Sequence, residues 1–97
     1  MIKVNYNDKV IKISGHADFN TYGKDIVCAS VSSIVYTTIN GILNINKNAI
    51  KYTDNIDLNI EILINDITTN KLIKNMIDLL IDLEKQYPKN IKISKGE

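Results

Sequence analysis

The chain opens MIKVNYNDKVIKI, residues 1–13, and this stretch decides how the rest must be arranged. Ile2, Val4 and Tyr6 alternate with Lys3 and Asn5, and Ile11 and Ile13 resume the alternation after the polar Asn7-Asp8-Lys9. Side chains along a strand point to opposite faces with a period of two, so each segment has one apolar face and one wet face. Two such runs joined by a short polar turn form a β-hairpin. A hairpin with one dry face needs covering, and the chain beyond it must supply the cover.

Downstream the period changes. Gly15 to Lys24, GHADFNTYGK, has no periodicity and carries glycines at 15 and 23, which makes it a loop. Asp25 then stands at an N-cap position ahead of Ile26-Val27-Cys28-Ala29. Val27, Val31, Ile34/Val35, Thr38/Ile39 and Ile42 recur at helical spacing. They predict a helix to about Asn44–Asn46, despite its β-branched residues and Gly41. Ala49 to Tyr52 is a candidate short strand. Ile56, Leu58, Ile60, Ile62 and Ile64 alternate with Asp57, Asn59 and Glu61 and make the clearest strand in the chain.

A second helix is expected from near Thr68–Asn70, with a core stripe of Leu72, Met76, Leu79/Leu80, Leu83 and Tyr87, stopped by Pro88. Ile91 and Ile93 form a last short strand. The order ββα(β)βαβ predicts an α+β domain spanning residues 1–97: a mostly antiparallel sheet with two helices packed on one face. The second helix carries a further apolar row, Ile73, Ile77 and Ile81, wider than one core needs. Either the helix is simply well buried, or this row is the face of a homodimer, and the small size of the chain favours the dimer.

Composition narrows the function classes. The chain has 97 residues, 44% hydrophobic and 24% charged, with a net charge of +1. All 12 basic residues are lysine. With no basic excess and no arginine there is no footprint for direct nucleic-acid binding or for a membrane surface. The first residues lack the apolar core of a secretion signal, and the apolar run from Met76 to Leu83 is too short to span a bilayer. The cytoplasm is the expected compartment. Cys28 is the only cysteine and His16 the only histidine. No internal disulfide can form, and neither a metal nor a cofactor is expected.

Those two residues bracket the aperiodic loop, His16 leaving the end of a strand and Cys28 lying in the first turn of a helix. A thiol there feels the positive end of the helix dipole, which favours the thiolate, and a nearby imidazole can take its proton and later return one to a leaving group. The plain alternatives are a small buried hydrophobe for Cys28 and a surface residue for His16. Both residues flank a loop, so neither is expected to fill the main core.

The stretch GHADFNTYGKDIVCASVS, Gly15 to Ser32, resembles the signature of the ribosomal-processing cysteine proteases, the Prp family. That signature is a GHA element, a short variable loop and then G-x-DIVCAAVS. The chain departs from it at Ser30, where the family usually has alanine, a small change. Chain length, the hairpin before the motif and the strand–helix order after it fit the family's small α+β domain.

The resemblance implies a Cys28–His16 dyad that hydrolyses a peptide bond through an acyl-enzyme. It also implies a substrate: the N-terminal extension of a large-subunit ribosomal protein, with bulky apolar residues before the cut and a small one after it. Supporting residues on the same resemblance are Asp25, Ser32, Gly15 and Gly23. Asp25 either caps the helix through the Cys28 amide or orients His16, and the cap reading would take that amide from an oxyanion hole. Ser32 either bonds back to the Cys28 carbonyl or supports thiol or substrate. Gly15 and Gly23 are hinges or ordinary turn residues. Phe19 and Tyr22 pack on substrate or fold the loop down. Asp57/Glu61 and Asp78/Asp82 read as solvated faces. Two other classes compete: a non-catalytic ribosome-associated binding module, and a thiol redox sensor, which would lack a resolving cysteine within the chain.

Overall fold

The computed structural model describes residues 1–15 and 24–96, apart from the side chains of Lys24 and Asp25. The elements are β1 (Ile2–Tyr6), β2 (Val10–Ser14), α1 (Lys24–Ile45), β3 (Ile50–Asp54), β4 (Leu58–Ile62), α2 (Ile67–Gln86) and β5 (Ile91–Lys95). The five strands make one sheet in the order β3-β4-β2-β1-β5. Every neighbouring pair is antiparallel except β1 and β5. The expected α+β architecture is the one observed, and the hairpin occupies its centre.

The hairpin turn is closed by a side chain. Asn7 Oδ1 accepts from the Lys9 and Val10 amides at 2.8 and 2.9 Å, and the Asn7 amide donates to the Val10 carbonyl at 3.0 Å. This sets the register Val4↔Ile13, and β4 and β5 extend it as Ile13↔Leu58 and Val4↔Ile93. The matched rows place Ile2, Val4, Ile11, Ile13, Leu58, Ile60 and Ile91 in the core. The intervening Lys3, Lys12 and Lys92 face solvent. From above, α1 contributes Val27, Cys28, Val31, Val35, Ile39 and Ile42, and α2 adds Ile73, Met76, Ile77, Leu80 and Leu83. Each such residue, fully buried, is worth about 1.5–3 kcal/mol relative to exposure.

Several boundaries differ from the pattern. The β4 strand is shorter than the alternation from 56 to 64. Ile56 sits in the β3–β4 turn at 88% exposure, and Ile64 lies beyond the strand. A two-residue rhythm continues through a turn without hydrogen-bonded pairing, so the pattern overshoots. The second helix starts earlier than expected, at Ile67. Asp66 caps it by accepting from the Thr69 amide at 2.8 Å and the Thr69 hydroxyl at 3.2 Å. Tyr87 is its C-cap and, as expected of the stripe, packs partly buried against the core.

The apolar row on α2 is also corrected. Ile73 and Ile77 are 9% and 5% exposed within the protomer, so they are core rather than a ready-made dimer face, while Leu79 of the expected stripe is exposed. The α1 span Ile26–Ile45 is long and apolar enough to cross a bilayer by composition, with a mean hydropathy of 1.6. Its apolar stripe packs in the core described above.

Gly15 ends β2 with φ +79°, and a Cβ there would stand 2.4 Å from the Met1 carbonyl oxygen. Gly41, inside α1, has nothing within 4 Å of the corresponding position. Gly15→Ala is therefore expected to cost about 2 kcal/mol or more, a fall in Tm of roughly 8 °C or more. Gly41→Ala is expected to gain about 0.5–1 kcal/mol from the helix propensity of alanine. Thermal melts of the two variants check the pair, and equal effects would remove the special role of Gly15.

Candidate functional site

One end of the sheet is marked by the last residues of β2. β2 ends there at Ser14, and Leu58 of β4 pairs with both Ile13 of β2 and Asp54 of β3. The next described element is α1, from Lys24. Gly15 is the last described residue before it, held against Met1. His16, Gly23, Phe19 and Tyr22 lie outside the described residues, as does the Asp25 side chain.

Cys28 is placed. It is 2% exposed and belongs to the core cluster, beneath the second turn of α1. This corrects the expectation that it merely flanks a loop: Cys28 packs in the main core. A thiol at this depth must gain access before it can attack a carbonyl.

The helix start changes two further readings. With Lys24 as the first helical residue, Asp25 lies inside the first turn and the cap position falls on residue 23. In a regular helix from Lys24, the Cys28 amide is bonded to the carbonyl four residues back. That amide is therefore spent within the helix, neither capped by Asp25 nor aimed at an oxyanion. The dipole also fades within the first turn, so it aids a Cys28 thiolate less than a residue at the very start. A negative Asp25 in that turn still complements the dipole.

Ser32, one turn beyond Cys28, is half-buried. Back-bonding of the kind considered for it occurs at neighbouring residues instead. Ser30 Oγ donates to the Ile26 carbonyl and Thr38 Oγ1 to the Ile34 carbonyl, both at 2.8 Å. Among the described residues Ser32 makes no such bond to Cys28.

A cluster unmarked by the sequence reading lies on the same flank. Tyr36 of α1 meets Tyr52 of β3 edge to face, ring centroids 6.2 Å apart at 82°. Its hydroxyl donates to the Asp54 carboxylate. That hydrogen bond, with partial burial, pushes the Tyr36 pKa up to about 12. The signal was the i, i+4, i+8 line Cys28–Ser32–Tyr36, which only the position of β3 makes meaningful.

Other polar groups are structural. Asp57 pairs with Lys12 at 3.3 Å and Asp78 with Lys74 at 2.8 Å, so neither acidic pair forms an acid–base couple. A groove bounded by Tyr6, Ile62, Ile64, Ile73 and Ile77 lies at the opposite end of the sheet, beside the hairpin turn. It is remote from Gly15 and α1's start, and Cys28 does not line it.

Comparison with known proteins places this arrangement. The family model described as cysteine protease Prp matches residues 1–92. The ribosomal processing cysteine protease Prp of Staphylococcus aureus is 31% identical across 96% of this chain and 93% of its own length. A protein of the same description from Mycoplasma genitalium is 38% identical over 57% of this chain and 52% of its own length. The crystal structure of the S. aureus protease with a substrate peptide superimposes with a TM-score of 0.86 at 22% identity, covering 98% of this chain and 97% of that one. The same protease with a covalently linked product peptide gives 0.82 at 23% identity with the same coverage.

Burial of Cys28 has a measurable consequence. Alkylation of the native chain by iodoacetamide is expected to be slower than that of glutathione at the same pH, because a buried thiol is inert until exposed. Cys28→Ala is expected to cost about 1 kcal/mol for the lost buried atom, and thus to lower Tm by roughly 4–8 °C. Alkylation at the glutathione rate with an unchanged melt would place the sulfur in solvent instead.

Proposed function

Because the chain belongs to the cysteine protease Prp family, we propose that it is a cysteine endopeptidase of ribosome maturation, with Cys28 as nucleophile and His16 as general base. One observation carries this reading: the family match extends over residues 1–92, and the sole cysteine lies in the opening turns of α1. In the reaction His16 takes the thiol proton, and the thiolate sulfur adds to the scissile carbonyl carbon. The tetrahedral oxyanion collapses, the C–N bond breaks, and His16 protonates the departing amine. Water, deprotonated by His16, then hydrolyses the thioester and restores the thiol.

The position of Cys28 one turn into α1 leaves His16 as the main source of thiolate stabilisation. Asp25, in the first turn, acts as a positioning residue for His16. The oxyanion donors are amides other than that of Cys28, since the helix has used it. The substrate is the N-terminal extension of a large-subunit ribosomal protein, the class acted on by proteases of this signature, bound as an extended segment.

The reducing cytoplasm keeps the single thiol available. A homodimer remains part of the proposal through the advantage of shared burial to so small a chain. It no longer draws on Ile73 and Ile77.

Incubation with the same organism's full-length ribosomal protein under reducing conditions is expected to give one truncated species by intact mass. Cys28→Ala and His16→Ala should each abolish the cut while remaining folded by circular dichroism. A substrate that survives uncut would overturn the protease assignment and favour a binding module.

A further inference from the structure

The two edges of the sheet are treated differently. At β5, the Gly96 amide donates to Tyr6 at 2.7 Å and the Ile2 amide to Asn90 at 2.8 Å. Those bonds turn Lys92 and Ser94 toward β1 and leave Ile91 and Ile93 facing outward. Two of the outward donors are taken locally: the Ile91 amide by the Tyr87 carbonyl at 3.3 Å, and the Ile93 amide by the Glu84 carboxylate at 2.8 Å. With two of its outward donors taken, this edge is a poor template for another chain.

At β3 the pattern is the reverse. The Leu63 amide donates to Ala49 at 2.9 Å and the Asn55 amide to Asp57 at 3.2 Å. With the register Lys51↔Glu61 and Thr53↔Asn59, these odd-numbered residues face β4. Tyr52, between them, turns its N–H and C=O outward. Among the described residues neither group has a hydrogen-bond partner. The Tyr52 side chain is 39% exposed on the helix side, against the Tyr36 ring. Thus the open edge carries an aromatic wall, it lies on the flank of the helix that holds Cys28, and it ends at the Gly15 end of the sheet.

We propose that the substrate binds as an added strand on the β3 edge, with Tyr52 supplying main-chain hydrogen bonds and the Tyr36–Tyr52 ring pair receiving a bulky apolar side chain. This rests on the protease reading above and names where that protease grips its peptide. A residue opposite Tyr52 projects to the same face, so its side chain lies beside the rings. Tyr36 is eight residues beyond Cys28, about 12 Å along the helix. An extended peptide advances about 3.3 Å per residue, which puts the gripped residue about three or four positions from the scissile bond. Specificity then extends beyond the residues at the cut, which one small pocket could not discriminate strongly.

The test uses a synthetic peptide covering the cut in the organism's own ribosomal protein. Single N-methylation along it should raise KM about five- to tenfold at the position that bonds Tyr52, with kcat little changed and the next residue insensitive. Tyr52→Pro leaves the β3–β4 ladder whole, because its N–H points away from β4. It should raise KM beyond the level of Tyr52→Ala. Tyr36→Ala should erase the preference for a bulky residue over alanine at the gripped position. Cys28→Ala protein titrated with the same peptide should show amide shifts at residues 50–54. A flat N-methyl scan with normal cleavage, and Tyr52→Pro equal to Tyr52→Ala, would overturn the edge proposal and leave the protease reading standing. A peptide neither cut nor bound would overturn both.

Discussion

The packing of the α1 stripe, Val27, Val31, Val35 and Ile39, into the same core as Val4, Ile11 and Ile13 of the central hairpin is the contact on which the rest depends. A five-stranded sheet with one polar face is soluble on that side only, so its apolar face must be roofed. β4 and β5 are added to the hairpin's two sides with registers that continue its buried rows. α2 completes the roof with residues that had looked surplus on the helix alone. Between β2 and α1 the chain carries its sole histidine, His16, and α1 carries its sole cysteine, Cys28.

That placement gives Cys28 two duties in tension. As a member of the roof it is buried and contributes packing; the nucleophile role proposed for it needs a thiolate and a path to a carbonyl. Burial in apolar surroundings disfavours the charged form, and the helix dipole is already weakened one turn in. On the proposed dyad, activation would therefore rest on His16 rather than on the helix dipole. A resting state with a covered thiol has a chemical benefit: it limits oxidation of a cysteine that no second cysteine in the chain can rescue.

The two sheet edges show the same division between holding the fold and meeting a ligand. Glu84 reaches from α2 to close β5, a bond that also ties the last strand to the second helix. Among the described residues β3 has no equivalent hydrogen-bonded cover at Tyr52, and its exposed residues carry Lys51 and Asp54, charges that discourage pairing with another copy. An edge so guarded against self-association, yet open in its main chain beside the nucleophile's helix, suits a transient peptide better than a permanent neighbour.

The amino-acid sequence by itself determined the element order, the hairpin, the dry face of each strand and the pair of residues able to do thiol chemistry. These are local matters: periodicity of two or 3.6, turn-forming Asn7, the stop at Pro88, and residue types that occur once. Tertiary structure alone decided which apolar rows are core, because Ile73 and Ile77 have a meaning only once α2 is laid against α1 and the sheet. It decided that the alternation through Ile56 is not strand there, since pairing with β3 and β2 begins at Leu58. It also decided the depth of Cys28 and the meeting of Tyr36, Tyr52 and Asp54, residues far apart in the chain. The physical reason is the same each time: a pattern states which side of an element is apolar, but burial and hydrogen-bond direction are properties of what packs against that side.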